Sequence, residues 1–537
     1  LGNELKHYIL TIMLKNRIKD LTLKFRLMNK RHIKIASFIL ALMISNSACQ
    51  KFDDLNTNPD LSLNVTPDML ATTLILDATR TELNTTKGFM YPFMLDKYIL
   101  WTEFAEDMQY NKLNRADFSY FVVLTNVDKM IAVSTEGGLK NSYTALGHFI
   151  RAWKFFRMTL KVGDIPYKEA LKAETDKNIK PAYDTQKDVI LGILSELDEA
   201  DQLFAKGSTF AGDPVYNGDP KKWRKLVNTF QVNVLVNLSN KSTDTDLNIV
   251  GRVTQILTSR PLMESNSDNF GLSFSNASGQ TYPFSKPNPF SIYPIVSSTI
   301  IDKLKQTQDR RLFYYAAPSP VKLTKGLNMS DWDAYVGVDP SAKYSDVGVI
   351  VGKKDYSTVN DRYYTSVGEP ICLVSYSQLK FNLAEAAVRG WIKSSAETYY
   401  YDGIKAALNF LASNTVDDAS YHHNMKIDAN YIQSFISSAS IKFADTKDEQ
   451  LKQIMDQKYI ASYLQIPLDA FFNNRRTGLP VLPVNPESNQ NVPSDKMPKR
   501  WMYPQGELDY NTENVKGAIT RQYSSDDANE TMWILKN

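Results

Sequence analysis

Carboxylates, imidazoles and thiols are the groups through which this 537-residue chain could do covalent chemistry, and none falls into a catalytic pattern. A glycosidase needs two carboxyl groups about 5–10 Å apart across a cleft. The chain has 59 Asp and Glu, but no motif singles out a pair. Asp164 and Asp219 stand out, yet each sits at a helix boundary, where capping of free amides accounts for it. A serine or cysteine nucleophile needs a partner base. Past the N-terminal region the only imidazoles are His148, His422 and His423. His148 lies inside an apolar-striped helix and reads as structural. The pair His422-His423 reads as a solvated surface pair that could hold a metal only with a further ligand. Two cysteines, Cys49 and Cys372, give no disulfide framework and no thiolate metal site. Neither a glycine-rich phosphate loop nor an acidic loop with EF-hand spacing is present. The expectation is a protein that is not an enzyme and needs no cofactor or metal.

Binding chemistry is better represented. The chain holds 29 Tyr, 25 Phe and 7 Trp, enough for both a core and a binding face. Aromatic rings stack on the C–H faces of sugars, while neighbouring Asn, Asp and Lys take the hydroxyls; the same rings also fill helix–helix contacts. They crowd into Tyr91–Tyr120, of which half should be core, and into the Ser-, Asn-, Asp-, Gly- and Pro-rich stretch between Ser265 and Glu369. Low regularity with many aromatics is how a binding surface built from loops looks. By ring type and loop position, Trp101, Tyr110, Phe284, Tyr293, Trp332 and Tyr335 are the candidate ligand contacts.

A helical spine must position them. Tyr143, Leu146, Phe149, Ile150, Trp153, Phe156 and Leu160 recur at helical spacing and predict one long helix. Thr185-x-x-Asp188 opens a second, striped by Val189, Ile190, Ile193, Leu194, Leu197, Ala200 and Phe204 and closed at Lys206-Gly207. Asp219-Pro220 starts a third, through Trp223, Leu226, Val227, Phe230 and Val234. An earlier helix starts at Thr66-Pro67 with Leu70, Leu74 and Ala78 inward, and helix returns at Ser375 to end at Gly390-Trp391. No such stripe can be buried alone, so adjacent helices must pack antiparallel and stack. Glu385 and Arg389, four apart on one face, are expected to pair. The fold class expected is mainly α, with stacked helix pairs and an irregular, aromatic-rich insertion at about 261–370.

The net charge of +3 conceals two regimes. Residues 1–48 carry nine Lys and Arg against two Asp and Glu, leaving 53 basic and 57 acidic residues in the rest, which does not suggest nucleic acid. Met28-Asn29-Lys30-Arg31 precedes an apolar run from Ile35 to Ile44, then Ser47-Ala48-Cys49. A bilayer crossing needs roughly 20 apolar residues. This layout is instead that of a secretory signal. It resembles a bacterial lipobox with Cys49 as the lipidated residue, although Asn46 stands where Leu is usual. Residues 1–27 are expected to lie upstream of the true start, 28–48 to be the signal, 49–64 a tether, and 65–537 a single domain.

Several phrases carry a family resemblance. Gly163-Asp164-Ile165-Pro166-Tyr167, Tyr183-Asp184-x-Gln186, Ile193-Leu194-x-x-Leu197 and Gly218-Asp219-x-x-Lys222-Trp223 occur in order. They are followed by Leu383-Ala384-Glu385-Ala386-Ala387-x-Arg389-Gly390-Trp391, Gln457-Lys458-Tyr459-Ile460-Ala461, Arg475-Arg476-Thr477-Gly478-Leu479-Pro480 and Pro498-x-Arg500-x-x-Tyr503-Pro504. Together these resemble the SusD/RagB family, over nearly all of residues 49–537. Asn233 departs from the pattern, since family members usually carry Arg near that position. The resemblance implies a tetratricopeptide-like scaffold and a surface lipoprotein that captures a nutrient, a glycan or in some members a peptide. It also implies a SusC-like TonB-dependent transporter as partner and an outer-membrane location, with Phe52-Asp53-Asp54 as a surface-export tag. The region around Trp101 and Tyr110 would contribute to the ligand face. A helical scaffold with no ligand of its own is the competing class.

Overall fold

The three stripes become three neighbouring helices. The computed structural model describes residues 13–15, 17–19, 22, 65–80, 86–286 and 289–536. Residues up to Val65 form one unit, of which the described ones at 13–15, 17–19 and 22 are helical and Val65 is not, and Thr66–Asn537 form a second. Cys49, the signal at 28–48 and the tether at 49–64 lie outside the described residues. No helix among the described residues is long and apolar enough to cross a membrane.

Helices of eight residues or more in the second unit are numbered in chain order. The first six are α1 (Pro67–Arg80), α2 (Thr86–Leu95), α3 (Thr125–Ala132), α4 (Gly138–Val162), α5 (Gln186–Phe204) and α6 (Pro220–Asn237). Next come α7 (Ile249–Ser259), α8 (Ser298–Thr307), α9 (Tyr344–Lys353), α10 (Tyr376–Val388) and α11 (Ala396–Ser413). The last four are α12 (Ala429–Ile436), α13 (Lys447–Ala461), α14 (Asp469–Thr477) and α15 (Thr512–Gln522). Every residue of the α4 stripe is buried, and α4 packs on α5, α5 on α6, α6 on α10, and α10 on both α11 and α13. This is the stacked-pair spine expected from the amphipathic patterns.

Local chemistry fixes the helix ends. Thr185 Oγ accepts from the Asp188 amide at 3.1 Å and donates back to the Asp188 carboxylate at 2.7 Å, closing the capping box. Asp219 accepts from the Lys221 amide at 2.9 Å. Gly163 ends α4 at φ +91°, a left-handed conformation. A Cβ there would lie 2.2 Å from the Tyr523 hydroxyl. Asp164 accepts from the Gln186 amide at 2.7 Å and from Arg521 Nε at 2.8 Å, tying the first turn of α5 to α15. Burial pushes its carboxyl up to about 6, with Arg521 opposing that rise. Both aspartates therefore act as caps. Glu385 and Arg389 pair at 2.8 Å as their spacing implied, and Arg476 of α14 joins them.

Two short antiparallel ladders lie beside the spine. β1 (Ile99–Trp101) pairs with β3 (Pro294–Val296), Trp101 opposite Pro294, and β2 (Phe270–Leu272) pairs with β4 (Ile371–Val374). Leu100, Ile295, Val338 and Val347 form a small core of their own, separate from the main one, and it seats α9 against the first ladder. The loop-rich insertion is thus more ordered than its composition implied, since it contains α8 and α9. The histidine pair corrects an expectation. His422 and His423 are both buried, with His423 Nδ1 2.9 Å from the Phe313 carbonyl and His422 Nε2 3.2 Å from Asp417. His148 faces Glu199 at 3.4 Å across the α4–α5 contact. At Asn233, the side chain accepts from Asn237 at 2.7 Å.

Candidate ligand-binding site

The β1–β3 ladder joins two aromatic segments nearly two hundred residues apart. With Trp101 opposite Pro294, the turn at Pro289–Ile292 and Tyr293 are carried onto the Trp101 ring. Ring centroids lie 5.5 Å apart for Trp101–Tyr293 and 6.1 Å for Trp101–Phe290, both at tilted angles. Thr102 Oγ donates to the Tyr293 carbonyl at 2.8 Å and holds the segments in register. Trp101 itself is buried, so it forms the floor. Phe290 and Tyr293 are half-buried above it. Phe104 forms the outer rim with 44% of its surface exposed, and Ile292, next to Tyr293 in the chain, is 71% exposed. An exposed apolar group rimmed by polar ones is informative in a way that a lone exposed Leu is not.

Charged groups from α2 and from the loop after β1 surround these rings. Lys87 Nζ sits 3.8 Å from the centroid of Phe104, within cation–π range. It pairs with Glu106 at 2.7 Å and lies 3.6 Å from Glu103. The Trp101 indole N–H donates to Glu103 Oε2 at 3.2 Å, and the Tyr344 hydroxyl of α9 donates to the Glu103 carbonyl at 2.7 Å. Burial, then the hydrogen-bonded carboxylate of Glu106, then Asp107 and Glu103, push the Tyr91 hydroxyl up to about 12. The surroundings are therefore rich in hydrogen-bond acceptors and short of positive charge.

A buried network holds the floor from below. Lys97, at φ +62°, donates from Nζ to the Gln109 carbonyl at 2.5 Å, and Gln109 Oε1 accepts from the Trp101 amide at 2.7 Å. The Lys97 carbonyl accepts from the Tyr459 hydroxyl at 3.0 Å, which fixes this turn to α13. Burial, opposed by Asp339 and Asp96, brings the Lys97 ammonium down to about 7.

The six candidate aromatics are distributed unevenly. Trp101 and Tyr293 come together. Tyr110 is buried, its hydroxyl donating to the Ala342 carbonyl at 3.1 Å, so it supports the loop before α9 and presents no ring face. Phe284 is buried against Tyr364 at 5.1 Å. Tyr335 is buried against Phe313 at 5.0 Å, its hydroxyl donating to the Met329 carbonyl at 2.7 Å. Trp332, half-buried, packs on the same Phe313 at 4.7 Å. Burying a large ring contributes on the order of 2 kcal/mol, which is why loop aromatics so often serve the fold. Phe104 and Phe290 belong to the two aromatic runs without being among the six candidates, and Ile292, Lys87, Glu103 and Glu106 escaped the sequence reading. For Ile292, Glu103 and Glu106 the only signal was a position within those runs, and for Lys87 there was none. Among the described residues no group of three or more His, Cys, Asp or Glu is placed to hold a metal. The arrangement can stack and hydrogen-bond.

A family model described as starch-binding, associating with the outer membrane (SusD-like), matches residues 59–504. No curated protein sequence matches the chain. Among solved structures, a SusD homologue from Bacteroides fragilis is 42% identical, with 88% of this chain and 100% of that chain covered and a TM-score of 0.85. An outer membrane protein from Bacteroides vulgatus, for which nutrient binding is suggested, is 32% identical over 88% of this chain and 100% of that one, with a TM-score of 0.79. A chitin-binding SusD homologue from Flavobacterium johnsoniae shares the fold at 19% identity and a TM-score of 0.68, covering 88% of this chain and 99% of that one.

Proposed function

Since this chain belongs to the SusD-like family, we propose that it captures an oligosaccharide non-covalently at the outer membrane and delivers it to a SusC-like TonB-dependent transporter. The observation that carries the reading is the rim of Phe104, Phe290 and Tyr293 over Trp101, flanked by Lys87, Glu103 and Glu106. Sugar rings offer apolar C–H faces to such a platform and hydroxyl donors to its carboxylates. No residue there is set against a nucleophile–base partner, so capture without bond cleavage is the activity that fits. Anchoring through a lipid on Cys49 would keep the platform at the membrane. A bacterial lipoprotein carries three acyl chains there, where one would hold only marginally.

The test is a binding screen of the purified chain against neutral polysaccharides and peptides, with Phe104→Ala alongside. Saturable binding to one glycan class, weakened about fivefold to tenfold in Phe104→Ala without loss of fold, supports the reading, because a stacked ring contributes roughly 1 kcal/mol. Binding of peptides alone transfers the platform to peptide capture. Hydrolysis of any glycan in the screen overturns the assignment as a binding protein. Co-purification of the full chain with a barrel transporter tests delivery separately.

A further inference from the structure

A groove of about 430 Å³ lies between α11 and the turn that precedes β2, and it shares no residue with the aromatic platform. Ser265, Asn266 and Ser267 reach it from the turn, and Tyr376 from the first position of α10. Asp402, Lys405 and Asn409 reach it from α11; spaced three and four apart, they share one face of that helix. The volume falls within the range of sites that take small molecules, about 300–1,000 Å³. Two hydrogen bonds hold the walls together. Asn266 Nδ2 donates to the Ala406 carbonyl at 2.9 Å and ties the turn to α11. The Tyr376 amide donates to Asn269 Oδ1 at 2.8 Å and ties the turn to α10.

The lining keeps hydrogen-bonding capacity that its own contacts do not use. Asn266 Oδ1 is buried and has no hydrogen-bond partner among the described residues. Buried acceptors are nearly always paired, so an orphan on a residue that lines a groove points to a donor from outside the chain. Ser265 Oγ and Ser267 Oγ lie 2.8 Å apart, one donating to the other, which leaves one hydroxyl hydrogen over. Lys405 forms no ion pair with a described residue. Asp402 lies 3.5 Å from Lys380 Nζ, which is also 5.1 Å from the centroid of the half-buried Tyr376 ring. The lining therefore offers an aromatic ring, one carboxylate, one ammonium, two serine hydroxyls and two carboxamides.

We propose that this groove binds a neutral oligosaccharide, with a sugar ring against Tyr376 and its hydroxyls shared among Asn266 Oδ1, Asp402, Lys405 and Asn409. Sugar hydroxyls both donate and accept, and a lining that mixes acceptors with donors meets them in both senses. The opposite charges of Asp402 and Lys405 give no net attraction for an anionic chain. The site stands whether or not the platform takes the same ligand.

The test is calorimetric titration of the full chain with the neutral hexasaccharides of glucose, xylose, mannose and N-acetylglucosamine, and with hexagalacturonate. It is repeated on Lys405→Met, on Asn409→Trp and, at the platform, on Phe104→Ala. Lys405→Met keeps the apolar stem and removes the charge. Asn409→Trp fills the groove from an exposed position without touching the bonds that hold its walls. The expected result is saturable binding of a neutral hexasaccharide that Phe104→Ala leaves unchanged, Lys405→Met weakens about tenfold and Asn409→Trp abolishes. Loss of every such signal in Asn409→Trp together with indifference to Phe104→Ala supports the groove and counts against the platform. Binding weakened by Phe104→Ala and untouched by both α11 substitutions overturns the groove and leaves the platform standing. Tighter binding of hexagalacturonate than of any neutral chain, sensitive to Lys405→Met, also overturns it, as does the absence of binding by every neutral hexasaccharide.

Discussion

Glu385 and Arg476, 91 positions apart, meet as a fully buried two-point ion pair, with Nη1 on Oε1 at 2.5 Å and Nη2 on Oε2 at 3.0 Å. Arg476 also donates to Asn473 and to Ser239 Oγ, so one guanidinium joins α10, α14 and the end of α6. Burial alone would raise the Glu385 carboxyl, but Arg476, then Arg389 and Lys458, outweigh it and hold it at about 2.

Glu385→Gln is expected to lower stability by about 3 kcal/mol at neutral pH, because it leaves a buried cation without its partner. The folded-state value lies below the ordinary one of 4.5, so the carboxylate's contribution is fully present above that pH and is lost as pH falls toward about 2. Denaturant titration at several acid pH values should show the difference between wild type and variant shrinking across that window. A constant difference would mean that the pair is not coupled to folding.

Lys97 should leave a signature of the same sign in a different pH window. Its folded-state value of about 7 lies below the ordinary 10.5, so between those limits the unfolded chain binds more protons and stability rises with pH. Relative to Lys97→Met, wild type should gain on the order of 2 kcal/mol from pH 7 to pH 9. Parallel unfolding curves at the two pH values measure it, and identical differences would contradict the buried-amine account.

Gly163→Ala combines a left-handed backbone with a Cβ 2.2 Å from the Tyr523 hydroxyl and 2.5 Å from Gln522 Oε1. Tyr523 cannot simply swing away, since its hydroxyl donates to the Val162 carbonyl at 2.8 Å. A loss of about 2–3 kcal/mol is expected. Gly279→Ala, also left-handed but with open space around it, should cost about 1 kcal/mol. Thermal unfolding of the two variants separates backbone strain from collision.

Trp332→Ala should cost about 3 kcal/mol of stability by exposing Phe313, yet leave binding at the Trp101 platform unchanged. Tyr293→Ala should do the reverse, weakening ligand binding about fivefold with a smaller effect on unfolding. Measuring both quantities on both variants distinguishes the rings that face a ligand from those that hold loops to the spine.

The spine was legible in the sequence because its information is local. Spacings of three and four residues in α4, the Thr185 cap and the Asp219 cap can each be read without knowing where the chain goes next. Glu385–Arg389 was legible for the same reason. Arg476 was not, because the contact that matters most to it spans 91 residues. The same limit governs the candidate site. Trp101 and Phe104 lie three residues apart in one aromatic run, and only the pairing of β1 with β3 decides that the indole becomes floor and the phenyl becomes rim. Tyr110, Phe284 and Tyr335 have the ring type and loop setting of ligand contacts but are held inward by partners far along the chain. His422 and His423 read as solvated because their partners Tyr314 and Phe313 lie more than a hundred positions earlier.

The separate core of Leu100, Ile295, Val338 and Val347 gives α9 a thermodynamic identity of its own. Four buried side chains and the Tyr344–Glu103 tie anchor it, whereas α4 is fastened along its whole length to the main interior. Segments with few buried contacts open at lower free energy than the global transition. In a hydrogen-exchange time course the amides of α9 should therefore exchange well before those of α4. The Glu103 end of the rim would then be free to reshape around ligands of different lengths while the indole floor, tied through Gln109 and Lys97 to α13, stays in place.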